Sequence, residues 1–213
     1  MKFTVITLFP EVVETYFSTG MLWKARQEGL ASFEAIDLRD FGLGKRKTVD
    51  DTIYGGGDGM LLRIEPLVES IKYAKKSSPE AKVILMSPSK NIWTQKMAEN
   101  YARSDKDYIF ICGRYEGVDA RIEKYIDDKI SIGQYVLTGG ELPSLVVIDS
   151  ITRLIPGVLG GAESALIESY SEGNNIEYPQ YTRPEEFDKQ KVPEVLLSGN
   201  HAEIKRWRDN NQS

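Results

Sequence analysis

Two short runs, KVILM at residues 82–86 and YIFIC at residues 108–112, are apolar at consecutive rather than alternate positions. Runs of this length bounded by turn formers read as buried strands. Residues 3–9, rich in β-branched and aromatic side chains and closed by Pro10, read the same way, and residues 31–38 alternate as a further strand. Helical spacing fills the intervals at residues 11–17, 21–28, 66–76 and 94–104, with a short helix at 119–125. On 66–76, Leu67, Ile71 and Ala74 share a side. Residues 131–137 read as extended. The strongest helix spans 142–155, with Thr138 and Glu141 at capping-box spacing and Pro143 in its first turn. Strands alternating with helices predict an α/β domain with a mainly parallel sheet.

The 213 residues suffice for one large domain with an appendage. We expect a main domain over residues 1–156 and a Gly-, Ser- and Glu-rich linker over 157–173. The remainder, 174–213, is polar, holds Pro179, Pro184 and Pro193, and ends in a helix at 202–208. Forty such residues are too few for an independent core. The net charge of −5 excludes a uniformly basic nucleic-acid coat and leaves room for local patches such as Lys45-Arg46-Lys47. Cys112 is the only cysteine and His201 the only histidine, so an internal disulfide and a multi-cysteine zinc site are excluded, and His201 is the one candidate for a Ser-His triad or a histidine metal ligand. Carboxylates, hydroxyls, arginines, backbone amides or a cofactor must carry any reaction. No apolar run approaches the roughly 20 residues that span a bilayer, and the start lacks a secretory signal. A cytoplasmic location is expected.

Three loops follow extended segments in order: Ser87-Pro88, residues 113–117 (GRYEG) and residues 138–141 (TGGE). Ligands of open α/β sheets bind beyond the carboxyl ends of strands, so these loops form a candidate pocket. Each also reads as a tight turn with glycine at positive φ. The long stretch 39–59 has no apolar periodicity, and its Tyr54-Gly55-Gly56-Gly57-Asp58-Gly59 resembles a phosphate-cradling loop. It matches neither GxxxxGK[ST] nor GxGxxG, so a base-approaching loop and a flexible surface loop both remain open. Asp149 and Arg153 lie four apart on one helix face, as do Ser164 and Glu168 if the linker becomes helical. His201, Lys205, Arg206, Trp207 and Arg208 make a basic, aromatic tail suited to phosphate and base contact, or simply a solvated helix end.

At these residues the sequence resembles the bacterial tRNA (guanine-N1)-methyltransferases, trefoil-knotted enzymes of the SPOUT superfamily. The matching segments are LFPE (8–11), RKTVDD (46–51), YGGGDGM (54–60), CGRYEG (112–117), SIGQYVLTGGELP (131–143), IPGVLG (155–160) and LLSGNHAEIKRWR (196–208). They run in order over nearly the whole chain.

The resemblance implies an α/β fold with helices on both faces of a mainly parallel sheet, a deep trefoil knot and a small C-terminal helical segment. It implies a homodimer whose sites are completed by both chains. The cofactor is S-adenosylmethionine, and the substrate is the guanosine immediately 3′ of the tRNA anticodon. The cofactor would be held by Ser87, Pro88, Gly113, Tyr115, Glu116, Gly117, Ile132, Tyr135, Leu137, Gly139, Gly140 and Pro143. Asp50, Tyr54, Gly55, Gly59, Ser164, His201 and Arg206 would bind the RNA. Glu116 matches a position associated with magnesium, Arg153 the arginine that stabilises charge, and Glu168 the general base. The family carries aspartate at that last position, so Glu168 is one methylene longer, with Glu163 as a nearby substitute. Gln134 stands where aspartate is common, and Ser89-Lys90 replaces a usual Gln-Gly. Family members also continue past the RWR helix. The glutamate at 168 and the short tail motivate one rival, a member that binds cofactor and tRNA with weak or no catalysis; a second is a knotted ribose 2′-O-methyltransferase.

Overall fold

The computed structural model describes residues 1–160, 169–170 and 175–212. It divides into two compact units, Met1–Gly160 and Gly161–Ser213. The first is an α/β layer structure. In chain order it contains β1 (Lys2–Thr7), α1 (Pro10–Phe17), α2 (Gly20–Gln27), β2 (Ser32–Asp37), β3 (Asp50–Thr52), β4 (Met60–Leu62) and α3 (Ile64–Ser77). Then follow β5 (Lys82–Met86), α4 (Gln95–Arg103), β6 (Tyr108–Cys112), β7 (Asp128–Ile130) and α5 (Glu141–Thr152). Single 3-10 turns occupy Leu38–Phe41 and Ala120–Lys124. The main sheet has the order β2-β1-β6-β5-β7, and every neighbouring pair is parallel.

The unbroken apolar runs have a direct cause. β6 sends Tyr108, Phe110 and Cys112 into one core cluster and Ile109 and Ile111 into another; β5 divides Ile84 and Met86 from Val83 and Leu85 in the same way. A parallel sheet covered on both faces needs apolar side chains at every position. One face is covered by α1, α2, α4 and α5 through Phe17, Leu22, Tyr101 and Ile148. The other is covered by α3 through Leu67, Val68, Ile71 and Ala74, helped by Leu38 and Ile122 from the two 3-10 turns. Each fully buried aliphatic or aromatic side chain contributes roughly 1.5–3 kcal/mol. The predicted bounds of β5 and β6 coincide with those observed.

Three local expectations are corrected. Residues 39–59 are not a structureless loop: β3 pairs antiparallel with β4, so YGGGDG is the tip of a hairpin. Residues 131–137 form no strand. The ladder ends at Ile130, opposite Met86, and Ser131 Oγ then donates to the Gly133 carbonyl (2.8 Å) and accepts from its N–H (3.3 Å). That local bonding competes with a ladder and turns the chain away. The capping box at 138–141 does not form either. Gly140 is the N-cap of α5, without a side-chain cap, and Glu141 spends its carboxylate elsewhere.

The second unit contains a two-stranded hairpin, β8 (Glu186–Phe187) with β9 (Gln190–Lys191), then α6 (Glu194–Leu197) and α7 (His201–Asn210). Asn200 caps α7 by accepting from the Glu203 N–H. Trp207 packs near Tyr178 and Tyr181 (ring centroids 6.4 and 6.3 Å), and the Arg208 guanidinium lies 4.9 Å over the Tyr178 ring. None of its described residues is buried.

Candidate functional site

Beyond the carboxyl ends of β5, β6 and β7 lies a cavity of about 230 Å³. Its walls come from residues 86–88, 113–117, 130–132 and 135–140, with Pro143 of α5. Ser87, Pro88, Gly113, Tyr115, Glu116, Gly117, Ile132, Tyr135, Leu137, Gly139, Gly140 and Pro143 all line it. Sequence reasoning singled out these twelve, and its candidate loops 113–117 and 138–141 also carry Arg114 and Thr138; it missed Met86, Ile130, Ser131 and Val136. Those four are either strand-terminal or interleaved among residues already singled out. The third wall follows β7, whereas the sequence suggested a strand ending at Leu137.

The glycines here are set by proximity more than by φ. A Cβ on Gly140 would stand 2.6 Å from the Cys112 Cα, and one on Gly139 would stand 2.2 Å from Arg114 Nε. Neither residue has positive φ, so the tight-turn explanation does not apply to them. The Gly140 N–H donates to the Gly113 carbonyl (2.9 Å), and Arg114 and Gly139 form an isolated antiparallel bridge. Two loops thus meet backbone to backbone at the pocket floor. Tyr115 at φ +59° and Gly117 at φ +115° turn the opposite lip. Cys112, beneath Gly140, is fully buried, and its sulfur lies 3.3 Å from Ser144 Oγ. Burial pushes its thiol pKa up, so it remains a neutral packing group.

Chemically the cavity offers apolar walls from Met86, Pro88, Ile130, Ile132 and Leu137 and polar edges of loop backbone. That combination suits a folded nucleoside with an amino-acid tail, because a flat base binds against apolar surface while amides and carbonyls meet its edges. The steric demand at Gly139 and Gly140 fits a cradle built for close backbone approach.

The β3–β4 hairpin docks on the same rim. Glu116 N–H donates to the Met60 carbonyl, Leu62 N–H to the Gly117 carbonyl and Asp119 N–H to the Leu62 carbonyl, each at 3.0 Å. Gly59, at φ +92°, passes so near Glu116 that a Cβ would lie 2.6 Å from its Cγ. The docking therefore puts Asp50 and Gly59 on an element tied to Glu116. Tyr54 is 99% exposed at the hairpin tip beside Gly55. Arg63, at the foot of β4, pairs with Asp51 (2.6 Å) and Glu65 (3.3 Å).

Arg153 stands apart from this cavity. It caps the C-terminus of α5, and ten residues of helix separate it from Pro143, about 15 Å at 1.5 Å per residue. Asp149 accepts from the Tyr16 hydroxyl, which raises the tyrosine pKa to about 12. Ser164, Glu168 and the neighbouring Glu163 lie outside the described residues. His201 and Arg206 are exposed on α7 in the second unit.

Sequence reasoning also misread Glu141. Its side chain is 2% exposed. Oε1 accepts from Thr7 Oγ1 (2.7 Å), Oε2 accepts from Arg114 Nε (3.0 Å), and Arg114 Nη2 lies 2.8 Å from Oε2 as an ion pair. Arg114 Nη1 donates to the Thr138 carbonyl (3.2 Å), and the guanidinium lies 4.5 Å over the Phe9 ring. Among the described residues no helix is long and apolar enough to cross a membrane. No three His, Cys, Asp or Glu side chains among them are placed to hold a metal.

Comparison with known proteins is consistent along the chain. The family model described as tRNA (Guanine-1)-methyltransferase TrmD matches residues 1–213. A tRNA (guanine-N(1)-)-methyltransferase of Dictyoglomus turgidum is 47% identical over 98% of this chain and 83% of its own length. One from Citrifermentans bemidjiense is 46% identical over 100% of this chain and 85% of its own. The crystal structure of tRNA (m1G37) methyltransferase from Aquifex aeolicus superposes with a TM-score of 0.83 at 36% identity, covering 99% of this chain and 90% of that one. With its pocket, hairpin and parallel sheet in that arrangement, the chain belongs to the tRNA (guanine-1)-methyltransferase family.

Proposed function

We propose that the protein methylates N1 of guanosine in tRNA, at the nucleotide immediately 3′ of the anticodon, with S-adenosylmethionine as donor. One observation carries this reading: twelve residues from four separate segments converge on a single cavity, and the hairpin bearing Asp50 and Gly59 is bonded to its rim. The cofactor, when bound, supplies an electrophilic sulfonium methyl.

The chain's own residues must then bring a guanine to it and make N1 nucleophilic. The target base has to leave its stack, as base-modifying enzymes require. The exposed hairpin tip at Tyr54 and Gly55 is suited to meet an extruded nucleotide, with Asp50 and Gly59 nearer the cavity. N1 of guanine carries a proton, and an ordinary carboxylate is a weaker base than the guanine anion by about 5 pKa units, roughly 7 kcal/mol. Glu168 takes that proton in this reading, and Arg153 offsets the cost by stabilising charge at O6. Ser164 belongs beside the base, and His201 and Arg206 contact the RNA from the second unit, which acts as the tRNA-binding part after a linker at 157–173.

The length of α5 bears on assembly. Arg153 lies about 15 Å along the helix from the cavity of its own chain, so we assign it to the site of a second copy in a homodimer. Glu116 is the candidate ligand for Mg2+. No protein cage surrounds it among the described residues, so the ion would draw most of its oxygen ligands from water and substrate, as magnesium commonly does. The trefoil knot and a cytoplasmic location belong to the same reading.

The deciding experiment is methyl transfer from labelled S-adenosylmethionine to a tRNA transcript with G 3′ of the anticodon, followed by nucleoside mass spectrometry. The expected product is 1-methylguanosine. Cofactor binding without product would favour a binding-only member, and a ribose methyl would favour a 2′-O-methyltransferase. Glu168→Gln should abolish turnover while leaving cofactor affinity within about twofold; undiminished turnover would clear Glu168 of the role.

A further inference from the structure

The pocket is closed by two loops that share almost no regular ladder. Residues 113–117 follow β6, and residues 135–140 lead into α5; what joins them is one isolated bridge and one backbone hydrogen bond. Beneath that junction lies a charged pair that the proposed methyl transfer does not use. Glu141 is buried at the first residue of α5, fixed on one side by Thr7 of β1 and on the other by Arg114. Thr7 is itself fully buried, and its Oγ1 accepts from the Phe9 N–H (2.9 Å).

We propose that Arg114 and Glu141 act as one positioning unit that sets the spacing of the two pocket walls, and thereby the pose of the bound S-adenosylmethionine. This rests on the reading of the cavity given above.

The geometry supports it in three ways. Each guanidinium nitrogen has a partner within the protein: Nε donates to Glu141 Oε2, Nη2 lies 2.8 Å from the same oxygen, and Nη1 donates to the Thr138 carbonyl. Arg114 therefore braces one wall against the other. Secondly, Gly139 leaves no room for a side chain, because a Cβ there would collide with Arg114 Nε and lie 2.6 Å from Glu141 Oε2. The wall residue is thus shaped to the pair. Thirdly, an ion pair with one buried partner, here Glu141, is a poor source of net stability compared with apolar packing, whereas its directional bonds specify one arrangement. A pair retained beneath a ligand cavity is better explained by geometry than by stability.

Lysine at 114 would keep the charge but present it as a point on a flexible stem. Without the planar fork it would not hold Glu141 Oε2 and the Thr138 carbonyl in the same fixed geometry. Glutamine at 141 keeps the shape and the Thr7 bond and removes the charge.

The test uses the full chain with Arg114→Lys, Glu141→Gln, their double variant and Thr7→Val. Each is measured for melting temperature, S-adenosylmethionine Kd by calorimetry, and kcat and KM for tRNA methylation. Arg114→Lys should melt near the wild type while its cofactor Kd rises about tenfold or more, and kcat should fall on the order of 10²-fold if the methyl is displaced by about 1 Å. KM for tRNA should stay within about twofold, which separates a positioning role from general loosening. The double variant should be no worse than the poorer single, since both break one unit.

Wild-type cofactor affinity in Arg114→Lys and Glu141→Gln would overturn the proposal, and so would additive losses in the double variant. Failure of Arg114→Lys to fold would overturn it too, by making the pair a folding element. If Glu141→Gln alone fails to fold, Arg114→Lys and Thr7→Val decide. A wild-type protein that binds no S-adenosylmethionine would instead sink the reading of the cavity itself.

Discussion

Two glycine-rich stretches look alike in the sequence and behave oppositely in the structure. In the TGGE segment, Gly139 and Gly140 avoid positive φ and have no space for a Cβ. At the hairpin tip, Gly55, Gly56 and Gly57 all have positive φ and nothing within 4 Å of an added Cβ. Gly140 is glycine because two backbones touch, and Gly139 because the Arg114 and Glu141 side chains fill the space of its Cβ; the second group is glycine because the chain must turn through conformations that L side chains avoid. Gly59 combines both demands, at φ +92° against the Glu116 side chain. The floor of the pocket is therefore steric, and its rim is conformational.

This contrast orders the expected effects of alanine substitution. Gly140→Ala should be the most damaging, since the obstacle is the Cys112 backbone, which has nowhere to go. Overpacking of this kind costs about 1–3 kcal/mol, or several degrees of melting temperature for a chain this size. Cofactor Kd should rise at least about tenfold. A variant with unaltered melting and affinity would erase the distinction between floor and rim. Gly59→Ala should come next. Its clash is with a side chain that can swing aside, leaving mainly backbone strain of about 1–3 kcal/mol. We expect tRNA methylation to fall several-fold, with cofactor Kd within about threefold, so that equal losses in both readouts would place Gly59 with the floor. Gly56→Ala should be the mildest, about 1 kcal/mol of left-handed strain in open space. Calorimetry should find cofactor binding unchanged, and any loss should be confined to tRNA. A larger effect of Gly56→Ala than of Gly140→Ala would invert the comparison outright.

What the sequence disclosed follows the same division between local and assembled features. β5 and β6 were legible because burial on both faces writes an unbroken apolar run. β7 was not, because Asp128 and Lys129 hide a three-residue edge strand that pairs with β5. The hairpin made by β3 and β4 escaped because Asp50 and Asp51 lack strand character; its pairing with β4 and docking on residues 116–119 supply the order. The twelve pocket residues were legible through family resemblance, since spacing along the chain does not show four segments converging. Glu141 illustrates the limit most clearly. Its distance of three from Thr138 suggested a helix cap, and its true partners are Thr7 and Arg114, 134 and 27 residues away. Position 153 is a further case: helical spacing placed it beside Asp149, and the rise of the same helix carries it about 15 Å along α5 from Pro143.

The seclusion of Cys112 has a practical corollary. With its sulfur sealed under the pocket floor and no other thiol in the sequence, the chain should react with maleimide dyes as though it had none. A single cysteine introduced at the exposed hairpin tip, for instance Asp58→Cys, would take up one fluorophore and report the arrival of RNA without any background labelling to subtract.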